Sequence, residues 1–101
     1  MAMVLRFTKA ADADIMHMMI EGIERFGLSQ ADAYADGLKA ACHAIEDNPE
    51  VVRLRKEYSP PVRIYRYRSH MIVYTVGDEG VLIIRVRHGR EDWSKDPTGH
   101  V

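Results

Sequence analysis

The chain holds a single cysteine, Cys42, among its 101 residues. One thiol excludes an intramolecular disulfide and fits a reducing, cytoplasmic setting. Long apolar runs are missing too. None approaches the ~20 residues needed to cross a bilayer, and the first residues do not read as a signal peptide, so no membrane role is expected. There is no glycine-rich phosphate loop and no GxSxG elbow. The histidines at 17, 43, 70, 88 and 100 show neither HExxH spacing nor a cysteine partner, so neither a metal nor a cofactor is expected. His17 and His43 fall on polar helix faces and read as solvated. Cys42, four residues after Leu38, reads as a small core-edge residue rather than a nucleophile.

What is present describes a soluble globular domain, 47% hydrophobic and 29% charged. The length sets one domain over residues 1–93, followed by a polar tail over 94–101, "SKDPTGHV", expected to be mobile. A net charge of −1 conceals a division. Residues 1–50 hold 4 basic and 9 acidic side chains, whereas residues 51–101 hold 10 and 6, so the halves carry −5 and +4. Most of the positive charge is arginine, whose planar fork suits carboxylates and phosphates. One face of the molecule is therefore expected to take an anionic partner.

Periodicity gives the architecture. "MVLRFT" reads as a short strand with Leu5 and Phe7 on one face, and Thr8 as the N-cap of a helix. In that helix Met16, Met19, Ile20, Ile23 and Phe26 recur at three- and four-residue steps opposite Asp14, His17, Glu21 and Glu24, and Gly27 ends it. Core packing is the expected use of this stripe, with a partner-binding groove as the alternative. Met18 is the residue that the core accommodates least easily. A second helix is expected from Ser29, with Asp32 completing a capping box, to Asn48-Pro49. Its apolar stripe is Ala31, Tyr34, Leu38, Ala41 and Ile45. So short a connection makes the helices an antiparallel hairpin.

From Pro60 onward the period becomes two. "VRIYRYR", "HMIVYTV" and "VLIIRVRH" form three antiparallel strands, and the order βααβββ makes an α+β domain with the helices on one sheet face. Alternation places Leu82, Ile84 and Val86 toward the helices, with Val81, Ile83, Arg85 and Arg87 on the other face. Arg63, Arg66, Arg68, Arg85, Arg87 and Arg90, with Tyr65 and Tyr67 between them, are expected to converge as a binding surface. For any one of these arginines, edge-strand protection is the blander reading. For the cluster, like charges so close call for an anionic partner.

The ordered segments "FTKAADADI", "ERFGLSQADAY", "AIEDNPE", "VRIYRYRSHMIVYTV" and "IIRVRHGREDW" resemble the RelE/ParE toxin superfamily, and specifically ParE, from Leu5 to Trp93. The resemblance implies a toxin of a type II toxin–antitoxin pair, held in a hetero-oligomeric complex by a ParD-like antitoxin with an acidic, amphipathic segment. It also implies DNA gyrase as the target. RelE-type relatives instead cleave mRNA on the ribosome. In some of them an arginine follows the third-strand histidine and a tyrosine follows the histidine ending the fourth. Here Met71 follows His70 and Gly89 follows His88. Methionine cannot neutralise a phosphate or move a proton, and glycine has no side chain. The expectation is therefore a binding protein without catalytic residues. It contacts its antitoxin through Arg63, Tyr65, Arg66, Tyr67, Arg68, Arg85, Arg87, Arg90 and Met18. The alternative is a ribosome-dependent endoribonuclease using His88, Arg85 and Arg87.

Overall fold

The computed structural model describes residues 4–91 and 93–99. Met3 of the expected first strand, Asp92 of the charged run, and His100 and Val101 of the tail lie outside the described residues. The elements are β1 (Val4–Phe7), α1 (Lys9–Phe26), α2 (Leu28–Asp47), β2 (Leu54–Arg55), β3 (Val62–Tyr67), β4 (His70–Gly77) and β5 (Gly80–His88). The meander β3–β4–β5 forms as the alternation predicts. It sits inside a larger, mixed sheet of order β1-β5-β4-β3-β2. β1 joins β5 in parallel, and β2, two residues long, adds an antiparallel edge to β3. The three-stranded expectation is corrected accordingly: the alternation Val52-Arg53-Leu54-Arg55 at β2 is too short to stand out as a strand in the sequence.

Thr8 links sheet to helix. Its side-chain oxygen accepts from the Ala11 amide as the N-cap of α1 and donates to the Ile84 carbonyl at 2.6 Å. At Gly27, φ is +87°, a conformation that costs glycine little, and this one residue both ends α1 and opens α2. α2 begins at Leu28 and has no side-chain cap, so the expected capping box at Ser29 and Asp32 does not form. The α2 stripe is placed as predicted: Ala31, Leu38, Ala41 and Ile45 are buried together with Cys42. Tyr74, fully buried, ties the exit of α2 to the sheet by donating to the Pro49 carbonyl at 2.8 Å.

Two faces read from periodicity are reversed, that of β5 before its bulge and that of α1. In β5, Tyr74 of β4 pairs with Ile83 and Val73 with Arg85, so Ile84 is an inserted bulge residue. The extra residue changes the phase of the alternation. Val81, Ile83 and Val86 all join the helix-side core, whereas Ile84 packs with Val62, Ile64, Met71 and Val73 in a second cluster, where Tyr58 and Trp93 also lie. The second reversal is in α1. Its core-facing residues are Ala11, Ile15 and Met18, and most of the predicted stripe points outward: Met16 is 63% exposed and Phe26 66%, with Ile20 and Ile23 also exposed and Met19 half-buried. Small residues allow the closer approach here, since a Cβ on Gly22 would rest 3.4 Å from that of Ala31.

Beyond Phe7, β1 no longer covers β5, and the edge is completed from α1. One oxygen of Asp14 accepts the Val86 amide at 2.9 Å, and the carboxylate takes both Nε and Nη2 of Arg85, at 2.7 and 2.8 Å. Both side chains are largely shielded, at 21% and 14% exposure. The pair holds the Arg85 pKa above its usual value, first through the hydrogen bond to Asp14. Asp14→Ala would strand a guanidinium and an edge amide together, and we expect a loss of about 2–4 kcal/mol in urea unfolding. Asp14→Asn, which keeps an acceptor for Val86, should lose less. A loss under ~1 kcal/mol in the alanine variant would mean that another contact closes this edge.

Candidate functional site

A depression of about 340 Å³ lies where the C-terminal half of α1 passes the end of the sheet. Its apolar wall is Met18, Gly22, Phe26 and Ala31, and its polar wall is Glu21, Arg25, Tyr34, Ser69, His70 and His88. Strand register brings the two histidines together, because His70 opens β4 opposite His88, the last residue of β5. Their rings meet edge to face at 4.9 Å, and Tyr34 packs edge to face on both His70 and Tyr67.

Hydrogen bonding fixes the protons. Tyr34 accepts from the Ser69 amide at 3.2 Å, and its hydroxyl lies 2.8 Å from His70 Nδ1. A tyrosine has one proton to give, and burial raises the Tyr34 pKa, so Tyr34 donates and His70 Nδ1 accepts. The His88 Nδ1 accepts as well, from the Arg90 amide at 3.0 Å. Burial first, and then the neighbouring His88, push the His70 pKa down to about 4. The residues after the histidines contribute no side chain to this wall. Met71 packs into the second cluster on the opposite sheet face, and a Cβ at Gly89 would crowd the Ser69 carbonyl at 3.2 Å.

The arginines expected to converge do not do so. Arg63, on the helix-facing side of β3 with Tyr65 and Tyr67, donates to the Val52 carbonyl. Arg66 donates to the Arg68 carbonyl, and Arg68, at φ +49° in the hairpin turn, lies over the Tyr67 ring. Arg85 is held by Asp14. Arg87 binds Glu91 and the carbonyls of Asp96 and Pro97, so residues 96–97 of the expected tail rest against β5, with Pro97 buried. Only Met18, His88 and, through Glu21, Arg90 belong to the groove. Sequence reading passed over Tyr34, His70, Glu21 and Arg25. Tyr34 falls by periodicity on the apolar stripe of α2, Glu21 and Arg25 belong to α1 and carry no signal of their own, and His70 is placed only by the strand register. Cys42 is buried, with its thiol pKa pushed up to about 11, as a core residue requires.

His70 gives the site a pH dependence. Unfolded, the imidazole titrates near 6.5, and folded near 4. The folded chain therefore binds fewer protons between those values. His70 costs no stability above pH 6.5, destabilises progressively as the pH falls toward 4, and adds no further loss below that. Thermal unfolding from pH 7.5 to 4 should show a shallower decline in His70→Gln, which keeps an acceptor for Tyr34. Parallel curves would show that the imidazole is protonated in the folded state.

The family model described as "ParE toxin of type II toxin-antitoxin system, parDE" matches residues 5–93. The chain is 32% identical over 84 residues to Toxin ParE1 of Mycobacterium tuberculosis, covering 82% of this chain and 86% of the relative. To Toxin ParE3 of Caulobacter vibrioides it is 24% identical over 90 residues, 89% of each. A solved chain titled "Chromosomal ParDE TA system from P. aeruginosa" superposes with a TM-score of 0.75 at 17% identity, over 86% of this chain and 96% of that one, and so shares the fold. The family match spans both helices and the whole sheet, and the chain belongs to the ParE toxin family of type II parDE toxin–antitoxin systems.

Proposed function

We propose that this chain inhibits DNA gyrase without being an enzyme, and that a ParD-like antitoxin neutralises it by seating an acidic, amphipathic segment along the groove and the outer face of α1. The carrying observation is the state of the two histidines. Both Nδ1 atoms already accept hydrogen bonds, His70 is neutral at physiological pH, and neither following residue presents an acid, base or cation to the cavity. General acid–base work needs a group that titrates near the operating pH and a charge for the scissile phosphate. An apolar wall beside Arg25 and Arg90 suits a partner with apolar and carboxylate side chains instead. Met16, Ile20, Ile23, Phe26 and Leu28 extend that wall as exposed apolar surface, the kind that marks a protein interface.

Within this reading the contact residues are Met18, Tyr67, Arg68 and Arg90, with Arg66 at the hairpin beside them. Arg63 and Tyr65 brace the sheet, and Arg85 and Arg87 hold the fold from beneath. Purified toxin should block gyrase supercoiling and leave transcripts intact on translating ribosomes. Transcript cleavage with gyrase unaffected would replace this reading with the ribonuclease one, centred on His88. Arg90→Ala should weaken antitoxin binding severalfold, through slower association that is less sensitive to salt, at unchanged Tm. Arg85→Ala should instead lower stability by about 1–3 kcal/mol. Binding lost in Arg85→Ala at unchanged stability would move the contact to β5.

A further inference from the structure

One contact at the rim of the groove is not required by the docking reading. Glu21 of α1 accepts from Arg90 Nη2, a residue 69 positions away, and the same oxygen lies 3.5 Å from Arg25 Nε. All three side chains are about half exposed, at 46%, 53% and 56%. Exposed ion pairs of this kind contribute ~0–1 kcal/mol, too little for the fold to depend on them. Two guanidinium groups from separate elements meet one carboxylate beside an apolar cavity lined by Met18, Phe26 and Ala31. The hydrogen bond from Arg90, and then its charge, lower the Glu21 pKa, so the carboxylate is ionised. The trio still carries a net positive charge.

We propose that Arg25 and Arg90 form a carboxylate-binding subsite at the mouth of the groove, and that Glu21 is its internal occupant, displaced by an Asp or Glu of the antitoxin whose apolar neighbour enters the cavity. The proposal rests on the docking reading above. Two carboxylates this close repel, so Glu21 must swing away for the partner to engage both arginines. Glu21 thus lowers the affinity for any carboxylate that lacks an apolar neighbour to offset the displacement, which makes it a specificity residue.

The test is calorimetric titration with the ParD-like antitoxin purified from the toxin's own complex, using the parent, Glu21→Gln, Arg90→Gln and the double variant. Glu21→Gln is isosteric and should bind about two- to fivefold more tightly, the range that an exposed pair allows. Arg90→Gln should bind more weakly, and in its background the gain from Glu21→Gln should shrink by half or more. As an independent reading, the Glu21 carboxyl followed by carbon NMR should titrate nearer the ordinary glutamate value in the complex than in the isolated toxin. Antitoxin that binds the parent but binds Glu21→Gln equally or less well would overturn the subsite and leave the docking reading standing. No binding by the folded parent would remove both.

Discussion

An edge strand must be covered or it will pair with something else, and the outer half of β5 is covered by one carboxylate. β1 accompanies β5 only as far as Ile83. Thr8 carries the ladder one step further through the Ile84 carbonyl, and Asp14 completes it at the Val86 amide while neutralising Arg85. Because Thr8 also caps α1, the same few bonds set the direction in which that helix leaves the sheet. Seven residues after Asp14, on the same side of α1, Glu21 meets Arg90, five residues after Arg85. The acidic edge of the helix follows the basic edge of the strand, part-buried and bidentate at one end, exposed and single at the other. Much of the division between an acidic first half and a basic second half is therefore complementarity within the chain.

That complementarity explains where sequence reading succeeded and where it failed. Elements with a strong local signature were legible: the Thr8 cap, the Gly27 break, the α2 stripe and the period-two meander all stand where their residues put them. The β5 faces read from alternation hold after the bulge, at Val86, and fail before it, at Val81 to Ile84, because an inserted residue at Ile84 leaves no mark in the order of apolar and polar side chains. In α1 the period was right and the face was wrong. Periodicity weights the largest apolar groups, Met16, Ile20, Ile23 and Phe26, whereas close packing against α2 and the sheet selected the smaller Ala11 and Gly22. The arginine cluster was likewise legible as composition but not as geometry. Each member has a local partner that only the register reveals, an Asp14 or a Val52 carbonyl, far away in sequence.

The outward stripe of α1 gains its meaning from what lies next to it. Methionine, isoleucine and phenylalanine exposed on one helix would be a liability in a protein that always worked alone. In a member of a toxin–antitoxin family they adjoin the groove whose polar wall holds the exposed Glu21–Arg90 ion pair. The strong pair, at Asp14 and Arg85, keeps the fold together whether or not a partner is present. The weak pair, at Glu21 and Arg90, can open at little cost. Stability is thus concentrated at one end of α1 and adaptability at the other.

The histidine pair occupies the boundary between those ends, and its chemistry follows from its position. A ring stacked on Tyr34 and on a second imidazole, with Nδ1 filled, is held rigidly and kept neutral. The strand carries Met71 to the opposite face and the turn holds Gly89 against the Ser69 carbonyl, so the residues after the histidines add no side chain to the groove. Arg25 and Arg90, at the same groove, are turned to Glu21. A surface whose aromatic rings are fixed, and whose charges are exposed and exchangeable, is suited to recognising another protein's side chains.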